Sequence, residues 1–125
     1  MSKNIKGKVV WITGGGSGIG RALAFEFVAR GCVVAVSGRR TERLEQVVEE
    51  IHSQGGRAAA VECDVTSDES VMRAVKSVIE QFGQLDVAIA IGLATGLAIG
   101  LVIGQALLVP RVSHFLLAIS SNRHN

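Results

Sequence analysis

Two periodicities alternate along the first ninety residues. Lys8 to Thr13, KVVWIT, is a short apolar run ended by glycines, which predicts a strand buried on both faces. From Gly18 to Arg30, Ile19, Leu23 and Phe27 recur at helical spacing, and Gly31 supplies a stop. Cys32 to Gly38, CVVAVSG, is a second β-branched run, and Thr41 opens a helix whose apolar face is Leu44, Val47, Val48 and Ile51. After the turn residues Gly55 and Gly56, AAAVECDV predicts a third strand. Thr66 and Glu69 then form a T-x-x-E capping box ahead of Val71, Val75, Val78, Ile79 and Phe82, a helix that Gly83 ends. Leu85 to Ile91, LDVAIAI, gives a fourth strand.

Strands alternating with helices over short connections call for a parallel sheet, because each crossover has to travel back along a face of the sheet. The expected fold class is therefore α/β, a Rossmann-type parallel sheet of about four strands. Residues 1–91 form the expected dinucleotide-binding domain, and residues 92–125 a hydrophobic tail.

Composition narrows the class. The chain has 125 residues, 48 % of them hydrophobic and 19 % charged, which suits one folded domain and excludes disorder. Eleven Lys/Arg and eleven Asp/Glu balance between Met1 and Asp86, so the excess of +2 comes from Arg111 and Arg123. The basic residues form no stripe, and nucleic acid is not an expected partner. Cys32 and Cys63 lie in apolar runs without metal-ligand spacing, and read as core residues of a reducing compartment. His52 reads as a solvated helix residue. The apolar run near the N-terminus is too short for a signal peptide, which places the chain in the cytoplasm.

The chemistry concentrates between the first strand and the first helix, where Thr13 to Gly20 read TGGGSGIG. Glycines in a strand-to-helix turn permit a tight bend, close approach of backbone N–H groups to a diphosphate, and contact of helix with strand. A Walker-type loop is excluded, because Arg21 and Ala22 follow Gly20 where Lys and Ser or Thr would be required. At the end of the second strand, where an acid would read an NAD ribose, stand Ser37, Gly38, Arg39 and Arg40. Guanidinium groups pair with a 2′-phosphate, so the expected cofactor is NADP(H).

Thr13 to Gly20 matches TGxxxGxG, and with GRR at 38–40, CDVT at 63–66 and FGQLDVAIA at 82–90 the chain resembles the short-chain dehydrogenase/reductase family over about residues 5–90. The resemblance implies that Gly14, Gly18 and Gly20 line the diphosphate, that Arg39 and Arg40 hold the 2′-phosphate, and that Asp64 with Val65 borders the adenine. Thr13, Ser17 and Ile19 complete the expected cofactor-binding set. It also implies hydride exchange between the nicotinamide and a carbonyl or hydroxyl carbon, with a tyrosine handling the proton beside a serine and a lysine. Here the pattern breaks. Ile91, Gly92 and Leu93 stand where the family has Asn-Ala-Gly, the chain contains no tyrosine, and its last lysine is Lys76. No catalytic residue and no metal ligand is assigned. Ser113, His114, Ser120, Ser121 and His124 make no triad, since no acid follows Asp86.

Val87 to Val109 carries no charge and has Gly92, Gly96, Gly100 and Gly104 at every fourth position. A helix over 92–109 would be about 27 Å long, just short of a bilayer core, with glycines spaced for close helix pairing. Three readings stay open: a membrane or helix-pairing tail, a buried helix completing a soluble fold, or a coding sequence cut or shifted near residue 90. The first makes membrane contact through 92–109 an expectation, and with it the alternative of a non-catalytic interaction protein on a Rossmann scaffold. The exposed edge of the fourth strand makes a homo-oligomer a further expectation.

Overall fold

The computed structural model describes residues 5–16 and 18–91. In chain order the elements are β1 (Val9–Thr13), α1 (Gly18–Ala29), β2 (Val33–Ser37), α2 (Thr41–Ser53), β3 (Ala58–Ala60), α3 (Asp68–Phe82) and β4 (Val87–Ala90). The strands form one parallel sheet in the order β3-β2-β1-β4. This is the Rossmann-type arrangement that the alternation of periods predicts. The helix expected over 92–109 lies outside the described residues. Among the described residues, no helix is long and apolar enough to cross a membrane.

Every residue of β1 and β2 is buried, because helices cover both faces of the sheet. Val10, Ile12, Val34 and Val36 pack with Ala24 of α1 and Leu44, Val47 and Ile51 of α2. On the opposite face Trp11 packs with Val71, Ala74, Val75 and Val78 of α3. Trp11 has no exposed surface, and its register partners are Ala35 on β2 and Ala88 on β4. Small side chains on both neighbouring strands leave room for the indole beneath α3.

The indole N–H also needs an acceptor. Trp11 Nε1 donates to Ser37 Oγ at 2.9 Å, and Ser37 Oγ donates to the Val61 carbonyl at 2.5 Å, so one hydroxyl links β1, β2 and the chain beyond β3. At the other end of the sheet Asp86 is buried. Its N–H donates to the Val9 carbonyl at 3.0 Å, while its Oδ2 accepts from Val9 N at 2.8 Å and from Gln84 Nε2 at 2.6 Å. That reciprocal clasp fixes where β4 meets β1.

Two details correct the sequence reading. The cap of α3 is Ser67, whose hydroxyl accepts from Ser70 N; Thr66 and Glu69 form no capping box, because Thr66 instead turns its hydroxyl onto Asp64. β3 stops at Ala60, since beyond the Val61 N–H bond to Val36 the chain leaves the sheet for the loop that leads to α3. His52 is exposed on α2, as expected, and its Nε2 lies 3.0 Å from the Ala58 carbonyl, which also ties α2 to β3. Cys32 and Cys63 are free and buried, as expected.

Ser37→Ala is expected to lower stability by about 2–4 kcal/mol, because it strands the buried Trp11 N–H and withdraws a donor from Val61. Urea unfolding followed by the fluorescence of Trp11 measures this. A loss under about 0.5 kcal/mol would show that the relay carries no weight.

Candidate functional site

β1 and β2 both end at the same edge of the sheet, and the glycine turn begins there. The Ser37 carbonyl accepts from Gly14 N at 2.7 Å and from Gly15 N at 3.0 Å, which folds the turn back over the end of β2. Gly14 adopts φ 83°, a conformation that side-chain-bearing residues rarely take. Gly20 is buried under the turn, and a Cβ there would lie 1.9 Å from the Gly14 carbonyl oxygen. Glycine at position 20 is what lets α1 approach the strand. Gly18 differs: it is exposed, and a Cβ added to it would meet nothing within 4 Å. Packing among the described residues does not demand glycine at position 18, whereas the close approach of a diphosphate to the start of α1 would.

Beside the turn lies a cleft of about 490 Å³, lined by Thr13, Gly14 and Gly16 from the turn, Gly38 to Arg40 and Arg43 beyond β2, Cys63 to Thr66 beyond β3, and Ile91 beyond β4. Of the expected residues, Thr13, Gly14, Arg39, Arg40, Asp64 and Val65 therefore meet in one cleft. Gly18 and Ile19 stand exposed in the first turn of α1, Gly20 is buried below, and Ser17 lies outside the described residues. Arg43, Gly16, Gly38, Cys63, Thr66 and Ile91 also line the cleft. Arg43 was detectable as a first-turn residue of α2, three positions after its N-cap Arg40.

Because the amides of Gly14 and Gly15 already serve Ser37, a bound phosphate would be met farther along, by Gly16 and the first-turn N–H groups of α1. Arg39, Arg40 and Arg43 are exposed and make no ion pair among the described residues; Arg21, by contrast, pairs with Glu50 and lies over the Phe25 ring. Asp64 Oδ1 accepts from Thr66 Oγ1 at 2.7 Å and Thr66 N at 3.0 Å. These bonds, with a smaller contribution from Arg39, hold the Asp64 carboxyl below the ordinary aspartate range, so it is charged at neutral pH. Burial pushes the Cys63 thiol up to about 11. Thr13 Oγ1 is the one buried side-chain polar atom without a hydrogen-bond partner among the described residues.

A glycine turn between the first strand and first helix, at the carboxyl end of a parallel sheet, is the arrangement of doubly wound α/β folds. The chain belongs to the short chain dehydrogenase family, whose model matches residues 8–98. That family works with nicotinamide dinucleotides. The chain is 47 % identical over 81 residues to the A-factor type γ-butyrolactone 1′-reductase of Streptomyces virginiae, matching 65 % of this chain and 32 % of that protein. It is 34 % identical over 87 residues to the short-chain dehydrogenase/reductase homolog YusS of Bacillus subtilis, covering 69 % of this chain and 80 % of that one. Among solved structures, a short chain dehydrogenase from Mycobacterium smegmatis superposes with a TM-score of 0.68 at 38 % identity, over 72 % of this chain and 38 % of the other. The NADPH-dependent 3-quinuclidinone reductase from Rhodotorula rubra gives 0.79 at 27 % identity, over 91 % and 52 %. The chain spans about a quarter to a third of the length of the first curated relatives that it matches, at 32 % and 25 %.

Two outcomes follow from this geometry. Gly20→Ala forces backbone overlap and is expected to cost about 3 kcal/mol or more in chemical denaturation, whereas Gly18→Ala should stay within about 0.5 kcal/mol of wild type. Equal losses would refute the division of labour between the two glycines. At pH 8 a thiol near 11 is about 0.1 % ionised, against about a quarter for an ordinary cysteine. In a Cys32→Ala background, Cys63 should therefore react with a disulfide reagent about 100-fold more slowly than free cysteine, and a comparable rate would show that its burial is lost in solution.

Proposed function

We propose that the cleft binds NADP(H), and that this chain holds the cofactor without efficient turnover. The observation that carries the reading is the set of three guanidinium groups, Arg39, Arg40 and Arg43, that lines the cleft with no ion pair among the described residues and no acid at the end of β2. A 2′-phosphate placed there gains charge-assisted hydrogen bonds, and a planar guanidinium suits it geometrically. The diphosphate lies toward Gly16, Gly18 and Ile19, and Gly14 and Gly20 shape the bend. Asp64 and Val65 border the adenine. The NADPH dependence named for the Rhodotorula rubra reductase supports the same cofactor.

The family resemblance assigns the chemistry to hydride exchange with a carbonyl or alcohol carbon. Such a reaction needs a group that donates or accepts a proton at the substrate oxygen, and a phenol next to a cation supplies it in the family pattern. No tyrosine occurs among the 125 residues. Cys63, which also lines the cleft, is kept protonated at neutral pH by burial. Residues 1–91 are accordingly the cofactor-binding unit.

Calorimetric titration of the full chain at low salt should give NADPH at least about tenfold greater affinity than NADH. Arg39→Ala and Arg43→Ala should each remove most of that preference while leaving NADH affinity within about threefold. Because the guanidinium groups are exposed, the preference should also shrink as salt rises. Equal affinity of the wild-type chain for both nucleotides would overturn the cofactor assignment.

A further inference from the structure

We propose that Ile91 sets the ligand selectivity of the cleft: it closes the end next to Gly14, so that affinity resides in the phosphorylated adenosine half of the dinucleotide and the nicotinamide half adds little. This rests on the NADP(H) reading above and deepens it.

Groups that can hold a ligand are distributed unevenly around the cleft. Arg39, Arg40 and Arg43 follow β2, and Asp64 and Thr66 follow β3. From the end of β4, among the described residues, Ile91 alone reaches the cleft, and it is apolar. Its position is fixed from two directions. The Ile91 N–H donates to the Thr13 carbonyl at 3.3 Å, continuing the pairing of β4 with β1. Its side chain rests on Gly14 so closely that a Cβ added to that glycine would lie 3.0 Å from Ile91 Cβ and 3.3 Å from Cγ1. A branched aliphatic group thus occupies the point where β1 and β4 diverge.

Doubly wound sheets are assembled from two mononucleotide-binding halves, and a dinucleotide crosses from one to the other where the strand order reverses. Here that crossing point lies between β1 and β4, since β2 and β3 stand on one side of β1 and β4 on the other. The β1 to β3 half presents cations, hydrogen-bonding groups and the glycine turn. At the crossing itself stands Ile91, whose side chain can neither donate nor accept a hydrogen bond. A β-branched side chain is also restricted at χ1, which limits its ability to swing clear. The ligand class for which the cleft is built is therefore an adenosine 5′-phosphate that carries a second phosphate on its ribose.

The test titrates the full chain and its Ile91→Ala variant with adenosine 2′,5′-bisphosphate, NADPH and NADH by calorimetry. Wild type should bind the bisphosphate within about fivefold of NADPH. Ile91→Ala, which opens the crossing, should strengthen NADPH at least about threefold and leave the bisphosphate within about twofold. Ile91 is only partly buried, and circular dichroism confirms that the variant is folded before titration. NADPH binding more than about 30-fold tighter than the bisphosphate in wild type would overturn this inference and leave the cofactor assignment standing. An Ile91→Ala change that alters both ligands alike, or neither, would overturn the role of Ile91. Absence of binding by all three nucleotides would overturn both readings.

Discussion

One residue, Ser37, carries the tension between core and site. Its hydroxyl accepts from the indole of Trp11 and donates to Val61, so the end of β2 is held to both of its neighbours from inside the core. Its carbonyl accepts the amides of Gly14 and Gly15, so the same position bends the glycine turn. A carbonyl at the last position of a strand would otherwise face the cleft unpaired, and two N–H groups of a tight turn would compete for any incoming phosphate. By joining the two, Ser37 takes the amides of Gly14 and Gly15 out of reach of a ligand.

The two ends of the sheet solve opposite problems. At the amino ends, a buried carboxylate is tolerated because Asp86 accepts from the first N–H of β1 and from Gln84, and its own amide returns a bond to Val9. Those bonds consume the polar groups there and leave a closed, structural end. At the carboxyl ends β1, β2 and β4 stop in step, the turn and two loops diverge, and exposed cations collect. The asymmetry follows from parallel connectivity, since every helix must return the chain to the same starting edge and every loop that precedes a helix lies on the opposite one.

Most of this architecture was legible in the sequence because its signals are local. KVVWIT and CVVAVSG are apolar runs that could only be buried on both faces, and Gly83 lies in the left-handed conformation at the end of α3 where a stop was expected. The failures occur where a specific side-chain contact, rather than the hydrophobic pattern, decides the outcome. Thr66 looked like a helix cap, but Asp64 captures its hydroxyl and the capping passes to Ser67. Arg43 escaped notice because no motif includes it, although its place three residues after Arg40 on α2 sets it beside the same cleft. Nothing in the sequence showed that Ile91 would settle on Gly14, since 77 positions separate them and only the β1–β4 register brings them together.

Charge at the cleft is arranged so that the cations stay available. Asp64 lies near enough to Arg39 for the guanidinium to lower its proton affinity, yet Thr66 takes the Oδ1 acceptor with both its hydroxyl and its amide. Had Asp64 instead formed a close ion pair with Arg39, a phosphate would have to break that pair before gaining its own, and the two contributions would largely cancel. Thr66 removes this competition at little cost, because an exposed carboxylate is already well solvated and two short hydrogen bonds only replace water. The threonine that does not cap α3 therefore has a different effect: it engages Asp64 Oδ1 and keeps that carboxylate out of a close ion pair with Arg39.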